Sequence, residues 1–143
     1  MVYRNYPYDG ILGDCYRVKQ ICRIKANSVK FQLAYILNGS VIVEDKTFGV
    51  ASSPCYTVKN NVLFPLGKDS SPDYVSYRLL FITCGKCAVV QAPQLNGTGC
   101  FLMVNNLEAP VDPCCEFVYD LLCGPKKIST YDPARCALVP NGR

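Results

Sequence analysis

The stretch SVKFQLAYILNGSVIV, residues 28–43, has the pattern of two antiparallel strands joined by a tight turn. Apolar and polar side chains alternate along its first half, which is typical of a strand with one buried face. Asn38-Gly39 follows at once and is a strong signal for a two-residue hairpin turn. The side chains predicted to lie on the buried face include Phe31, Leu33 and Tyr35.

The same pattern of short apolar runs between turn residues continues along most of the chain. Further candidate strands are YTVK, NVLF, DYVSYRLLFIT, KCAVVQA and CFLMV. Together with MVYRNY at the start they predict eight or nine strands, a number typical of a sandwich or a barrel. The length of 143 residues fits one domain, and no repeat or linker divides it. We therefore predict a single, mostly β domain over residues 1–143.

One segment, PCCEFVYDLLCGP at residues 113–125, has a helical pattern instead. Asp112 is a favourable N-cap, and Pro113 suits the first helical position. Gly124 and Pro125 end the helix. The apolar stripe at helical spacing consists of Phe117, Leu121 and Leu122. We predict one short helix that packs on the outside of the sheet.

Ten cysteines and no histidine narrow the possible functions. A zinc site needs four ligands, but Cys84 and Cys87 form the one C-x-x-C pair of the sequence and flank the pattern of a hairpin tip. Without histidine, the common general base and the Ser–His and Cys–His pairs are missing. We therefore expect no metal, no cofactor and no enzymatic activity, and we interpret the cysteines as disulfide partners.

Several features predict a secreted, monomeric glycoprotein. An even number of cysteines is typical of an oxidising compartment, and glycosylation sequons begin at Asn38 and Asn96. The chain opens on MVYRNYPYDG without a signal peptide, so we expect a leader to have been removed. The net charge of +4 is too small and too scattered to favour nucleic acid, and no apolar run is long enough to span a membrane.

GCFLMV, PCCEFVYDLLCG and YDPARC together resemble the C-terminal signature of the tick salivary lipocalins, the family that includes histamine-binding proteins. MVYRNYPYDG and GDCYRV near the start are similar to that family's first strand, acidic loop and second strand. The resemblance covers nearly the whole chain, although the N-terminal helix usual in the family is missing. It implies an eight-stranded antiparallel barrel with one C-terminal helix, held by disulfides.

The resemblance also implies three disulfides. The pairs carried over from the family are Cys15–Cys136, Cys87–Cys115 and, from members with the longer helix motif, Cys100–Cys123. The remaining cysteines are Cys22, Cys55, Cys84 and Cys114. Four cysteines can pair in three ways, and the residues leave these alternatives open.

Members of this family sequester host mediators such as histamine, serotonin, leukotrienes, thromboxane or sterols, and some bind a complement protein instead. Their amine sites hold the ammonium with carboxylates inside the barrel, between aromatic walls. This chain keeps an acid in the loop, Asp9, but has Phe101 and Met103 where the family often has glutamate and tryptophan. Arg78 stands where histamine binders carry an acid. The resemblance therefore implies a ligand site with fewer carboxylates than the amine binders have.

Arg78 bears on the charge of the expected ligand. Neither face of DYVSYRLLFIT is plainly polar, so its guanidinium is expected either to meet a buried anion or to reach water at the barrel mouth. Inside the barrel it can hold a carboxylate through two charge-assisted hydrogen bonds. The predicted ligand-contacting residues are Arg78, Tyr74, Tyr35, Phe31, Leu33, Leu80, Phe101, Met103 and Asp9.

These observations predict a secreted scavenger of a small hydrophobic host mediator, with a role in immune evasion through tick saliva. An anionic lipid, such as a leukotriene, another eicosanoid or a fatty acid, is favoured over a biogenic amine. The alternative is a protein-binding lipocalin that inhibits a host immune or haemostatic protein of the complement type. In that alternative the cavity is small or unused.

Overall fold

The computed structural model describes residues 1–7, 13–66 and 73–140. These residues contain nine strands and three short helical segments. The strands are β1 (Tyr3–Arg4), β2 (Asp14–Lys25), β3 (Ser28–Leu37), β4 (Ser40–Ala51), β5 (Asn61–Pro65), β6 (Tyr74–Thr83), β7 (Cys87–Ala92), β8 (Gly99–Val104) and β9 (Ile128–Ser129). The helices are α1 (Gln94–Gly97), α2 (Pro113–Cys123) and α3 (Pro133–Cys136).

The strands form one antiparallel sheet in the order β2-β3-β4-β5-β6-β7-β8-β1-β9. The sheet curls so that its ends approach at Cys15, whose backbone N–H donates to the Thr130 carbonyl oxygen at 2.8 Å. The Cys15–Cys136 disulfide joins the same two ends. The fold is therefore the predicted lipocalin-like one, a curled half-barrel. The described residues contain nine strands where the resemblance implied eight, and two short helical segments, α1 and α3, that were not predicted.

The hairpin between β3 and β4 forms as predicted. Asn38 and Gly39 have φ angles of 49° and 78°, the left-handed conformation that a tight hairpin turn of this kind requires at both central positions. The turn sets the register, because Leu37 lies opposite Ser40 and the pairing continues without a break to Gly49. This register decides, for each side chain of β4, which of the two faces of the sheet it lies on.

The sheet carries an apolar cluster on each face. The outer cluster lies under α2, and its buried members are Tyr3, Cys87, Val89, Cys100, Leu102, Cys115 and Tyr119. The inner cluster lies on the opposite face, and its buried members are Met1, Tyr6, Tyr16, Leu33, Phe48, Phe64, Tyr77, Ala92 and Phe101. Strand alternation separates the two clusters, since Phe101 of β8 belongs to one and its neighbour Leu102 to the other.

The described residues contain three disulfides, and they are the pairs that the family resemblance implied. They are Cys15–Cys136, Cys87–Cys115 and Cys100–Cys123, with Cα–Cα distances of 5.2, 6.4 and 5.8 Å. Two of them attach α2 to the neighbouring strands β7 and β8, one near each end of the helix. A helix of 11 residues is marginal by itself, so these bridges and its packing keep it folded.

The ends of α2 were predicted correctly, but its buried face was not. The Asp112 carboxylate caps the helix by accepting from the Cys114 N–H at 2.9 Å. Cys115 and Tyr119 are 0% exposed and face the sheet. The predicted apolar stripe faces solvent instead, with exposures of 66% for Phe117, 67% for Leu121 and 54% for Leu122. The disulfides explain the difference. Cys115, Tyr119 and Cys123 follow each other at intervals of four residues and so lie on one side of the helix, and the two bridges hold this side against the sheet.

This orientation predicts very different costs for two truncations on the same helix. Tyr119→Ala removes a fully buried ring that stacks edge-on against Tyr3 at 4.8 Å, and should lower the free energy of unfolding by about 3 kcal/mol. Phe117→Ala should change it by no more than about 0.5 kcal/mol. Urea denaturation of both variants measures the difference. Equal losses, or a larger loss for Phe117→Ala, would contradict the observed face.

Candidate functional site

A row of aromatic rings crosses the inner face, with one ring from each of five strands. Neighbouring ring centroids lie 5.0 Å apart for Phe31 and Phe48, 5.1 Å for Phe48 and Phe64, 6.2 Å for Phe64 and Tyr77, and 5.7 Å for Tyr77 and Phe101. We call these five residues the aromatic arc. Such separations are typical of favourable tilted and edge-to-face pairs. Four of its rings are only 4–7% exposed and Phe31 is partly buried, so the arc is the packed apolar floor of the inner face.

Two opposite charges lie beside the aromatic arc. Glu44 accepts a hydrogen bond from the Tyr35 hydroxyl at 3.0 Å, and the Lys46 ammonium lies 3.5 Å from the Glu44 carboxylate. The same ammonium lies 5.0 Å from the ring centroid of Phe64, within cation–π range. The side chains of Glu44 and Lys46 are 33% and 23% exposed, so both are accessible to a ligand that enters from solvent.

Tyr16 adds a buried hydroxyl to this region. Its ring stacks on Tyr35 with the centroids 5.9 Å apart. Burial raises the pKa of Tyr16 well above the usual value, and nearby Tyr77, Tyr35 and Glu44 raise it further. Because burial is the main cause and disfavours a charge of either sign, the raised pKa shows that Tyr16 stays neutral and buried in this region.

A model of the tick histamine-binding protein family matches residues 1–137. The chain belongs to this family. A search of curated proteins gave no match. The tick histamine-binding family consists of binding proteins rather than enzymes, so the inner face of this family member is the candidate small-ligand site. Its elements are the aromatic arc, the Glu44 carboxylate and the Lys46 ammonium.

The structure brings together five of the residues predicted to line the inner wall of this tick histamine-binding family member. Leu33 and Phe101 are buried in the inner cluster, and the partly buried residues packed against it include Phe31, Tyr35 and Met103. Their common position follows from the register of β3 and β8. Whether they contact a ligand stays a prediction.

Three other predicted wall residues, all in β6, do not lie on the inner face. Tyr74 is 55% exposed, and Arg78 is also exposed. The parity of the strand is the reverse of the predicted one, because Tyr77 of the inner cluster lies opposite Val62 of β5. The interpretation of Arg78 as a guanidinium inside the barrel is therefore wrong.

The third residue, Leu80, shares the outward parity of Arg78, and a β-bulge at this point brings Phe81 to the same side. The pairing of β6 with β7 shifts between Leu79 and Phe81, so that strand alternation is interrupted at Leu80. As a result Leu80 and Phe81, although adjacent in sequence, both pack against the outer cluster. Leu80 is an element of the packing under α2 rather than of the ligand site.

Other predicted residues lie apart from the inner face or beyond the description. Asp9 falls outside the described residues, so its assignment as a ligand contact stays a prediction. The sequon asparagines are both exposed, Asn38 in the turn between β3 and β4 and Asn96 in α1. The cysteines with exposed free thiols are Cys22, Cys55, Cys84 and Cys114. Their pairing stays open.

Glu44 and Lys46 were missed, although the sequence contains the signal that places them. A two-residue turn at Asn38-Gly39 puts Leu37 opposite Ser40, and counting along both strands then puts Leu33 opposite Glu44 and Phe31 opposite Lys46. Since Leu33 and Phe31 were predicted to face inward, Glu44 and Lys46, which lie opposite them, are expected to face inward as well. The run VEDKTF by itself carries no such signal, because alternating charges are typical of a solvent-exposed face.

Neither a membrane segment nor a metal site is found in the described part of the chain. Among residues 1–7, 13–66 and 73–140, no helix combines the length and apolar character needed to cross a bilayer. The same residues contain no group of three or more cysteine, aspartate or glutamate side chains placed to hold a metal ion.

The raised pKa of Tyr16 gives a test of its burial on the inner face. Because the folded-state pKa lies above the unfolded one, the stability that Tyr16 contributes is fully present below about pH 10 and is lost as the pH rises beyond it. Phenolate absorbance measured from pH 9 to about pH 11 should be the same for the wild type and Tyr16→Phe. A loss of titrating signal in the variant over this range would contradict a buried, protonated Tyr16.

Proposed function

We propose that the protein captures a small host mediator that carries an ammonium group and an apolar or aromatic body. The observation that carries this proposal is the Glu44 carboxylate, which lies on the inner face beside the aromatic arc. A carboxylate next to aromatic rings binds an ammonium by a charge-assisted hydrogen bond and by cation–π attraction. Membership of the histamine-binding family supports the same ligand class.

The proposed binding geometry follows from the positions of these groups. The ammonium of the ligand is held by Glu44, and the Tyr35 hydroxyl keeps the carboxylate oriented through its hydrogen bond of 3.0 Å. The body of the ligand lies on the aromatic arc near Phe48 and Phe64. Because the arc is already in contact ring to ring, the ligand lies against it rather than between its members.

An anionic lipid such as a leukotriene is the competing ligand class. The sequence favoured it on the condition that Arg78 points into the barrel, one of the two positions expected for this side chain, but Arg78 is exposed on the other face and gives it no support. The described cations on the inner face include Lys46, which a lipid carboxylate would have to draw away from Glu44, and the buried Arg4, which lies opposite Phe101 and pairs with Asp14 at 3.5 Å.

A second candidate function is the binding of a host immune or haemostatic protein. The observation that favours it is the exposed apolar face of α2, where Phe117 and Leu121 are each about two-thirds exposed, at 66% and 67%. Exposed apolar side chains grouped on one helix are typical of protein-binding surfaces. This surface is on the opposite side of the sheet from Glu44, so the two candidates can be tested separately.

We also propose that the protein acts outside the cell. Three disulfides in a chain of this size are typical of secreted proteins. Both sequon asparagines are exposed, which glycosylation requires.

The amine site predicts a specific loss of binding in Glu44→Gln. Calorimetric titration should show histamine or serotonin binding to the wild type. Glu44→Gln should weaken this binding about tenfold or more, because a hydrogen bond to a charged group contributes about 1.5–3 kcal/mol. Asp45→Asn is the matched control, since Asp45 is the next residue, is exposed and pairs with Lys30 on the opposite face of the sheet. It should leave the affinity unchanged.

Three outcomes would count against the proposal. Leukotriene binding without amine binding would favour the anionic lipid, and loss of that binding in Lys46→Met would identify the anchor. Amine binding that is equally strong in Glu44→Gln would mean that the ammonium is held elsewhere. No binding of any small molecule would favour the protein-binding candidate, for which Phe117→Ser with Leu121→Ser is the variant to test against host serum proteins.

Secretion through a glycosylating pathway predicts two attached glycans. Expression in an animal cell line that exports the protein should give a mass above that of the polypeptide, and Asn38→Gln and Asn96→Gln should each remove one glycan. Intact mass spectrometry before and after glycosidase treatment measures this. An exported protein with the bare polypeptide mass would contradict the assignment of both sequons.

A further inference from the structure

The Lys46 ammonium occupies the place that the proposed function assigns to the ligand. It lies 3.5 Å from Glu44 and 5.0 Å from the centre of the Phe64 ring, which are the two contacts expected of a bound amine. We propose that Lys46 is a built-in competitor, whose ammonium fills the amine site of the free protein and must leave before a ligand binds. This inference rests on the proposed amine site at Glu44 and adds the residue that sets its affinity.

The strand geometry places Lys46 next to Glu44 on the same face of the sheet. Lys46 follows Glu44 by two residues in β4, so both side chains lie on the inner face, opposite Phe31 and Leu33 of β3. Phe64 extends from β5 on the same face. The charged and polar side chains that contact Glu44 in the described structure are those of Lys46 and Tyr35. A ligand ammonium that reaches Glu44 therefore meets Lys46 first.

The contacts of Lys46 are of the kind that a ligand can break. The 3.5 Å separation from Glu44 is longer than a tight charged hydrogen bond. Lys127 shows the contrast, because its ammonium lies 2.8 Å from Glu116 and 2.9 Å from Asp120 and thereby clamps α2 to the chain that follows it. Lys46 is partly exposed on a long flexible stem, so its ammonium can turn to water while the stem stays on the apolar surface.

Removing the competitor should therefore strengthen amine binding. Lys46→Met keeps an unbranched apolar side chain against Phe64 and removes the charge. Histamine should bind this variant about three- to tenfold more tightly than the wild type, since a partly exposed ion pair and one cation–π contact are lost from the free state. Lys30→Met is the matched control, because it removes the same charge from an exposed pair with Asp45 on the other face. It should change the affinity less than about twofold.

A double-variant cycle separates competition from a general effect of charge. In a Glu44→Gln background, Lys46→Met should give a smaller gain, because Lys46 then competes for the Phe64 ring alone. Nuclear magnetic resonance gives a second readout that does not depend on affinity. The ε-methylene protons of Lys46, assigned by their absence in Lys46→Met, should move to the shifts of solvent-exposed lysines when histamine is added, as the Phe64 ring no longer shields them.

The possible results are distinguishable. If Glu44→Gln weakens histamine binding but Lys46→Met does not strengthen it, the competitor is refuted and the amine site stands. If Lys46→Met abolishes binding of a leukotriene, Lys46 is an anchor for anions and the inference is overturned. If histamine binds no variant, or binds independently of Glu44, the proposed amine site and the inference fail together.

Discussion

The tight turn at Asn38-Gly39 is the constraint on which the inner face depends. Both residues adopt left-handed backbone angles, which fixes the register of β3 against β4 over the whole hairpin. A slip of one residue would send Glu44 and Lys46 to the outside and bring their charged neighbour Asp45 in. The charge pair, its distance from Phe64 and its access to solvent are thus consequences of a two-residue turn at the far end of the hairpin.

The two faces of the sheet are held by different forces. The outer face is covalently attached, since disulfides from Cys115 and Cys123 fix both the position and the rotation of α2. The inner face has no such bridges among the described residues, and its side chains are held by ring packing and by the register of the strands. This division places the covalent constraints on α2 on the outer side of the sheet, and leaves the arrangement of the inner side chains to packing and strand register.

Sequence patterns predicted those features that depend on local chemistry. The hairpin turn, the N-cap at Asp112 and the ends of α2 are each encoded by a few adjacent residues. The parity of β6 was mispredicted because Tyr77 and Arg78 are embedded in a strand with apolar residues on both faces. The bulge at Leu80 then brings Phe81 to the outer side, and no glycine or proline marks it in the sequence. The outward rotation of Phe117 depends on which cysteines pair. The family resemblance implied those pairs, but the helical pattern alone did not contain them.

The pairing of Glu44 with Lys46 also explains how a carboxylate can be kept on a partly buried aromatic surface without a ligand. An isolated half-buried charge loses part of its hydration and destabilises the folded state. Lys46 offsets that cost in the free protein. Under the proposed function a ligand ammonium would offset it in the complex, so that one of the two cations would always accompany Glu44. In that proposal the cost of the arrangement is affinity, because the ligand would first have to displace the lysine, and the gain is a free protein in which the carboxylate keeps a partner.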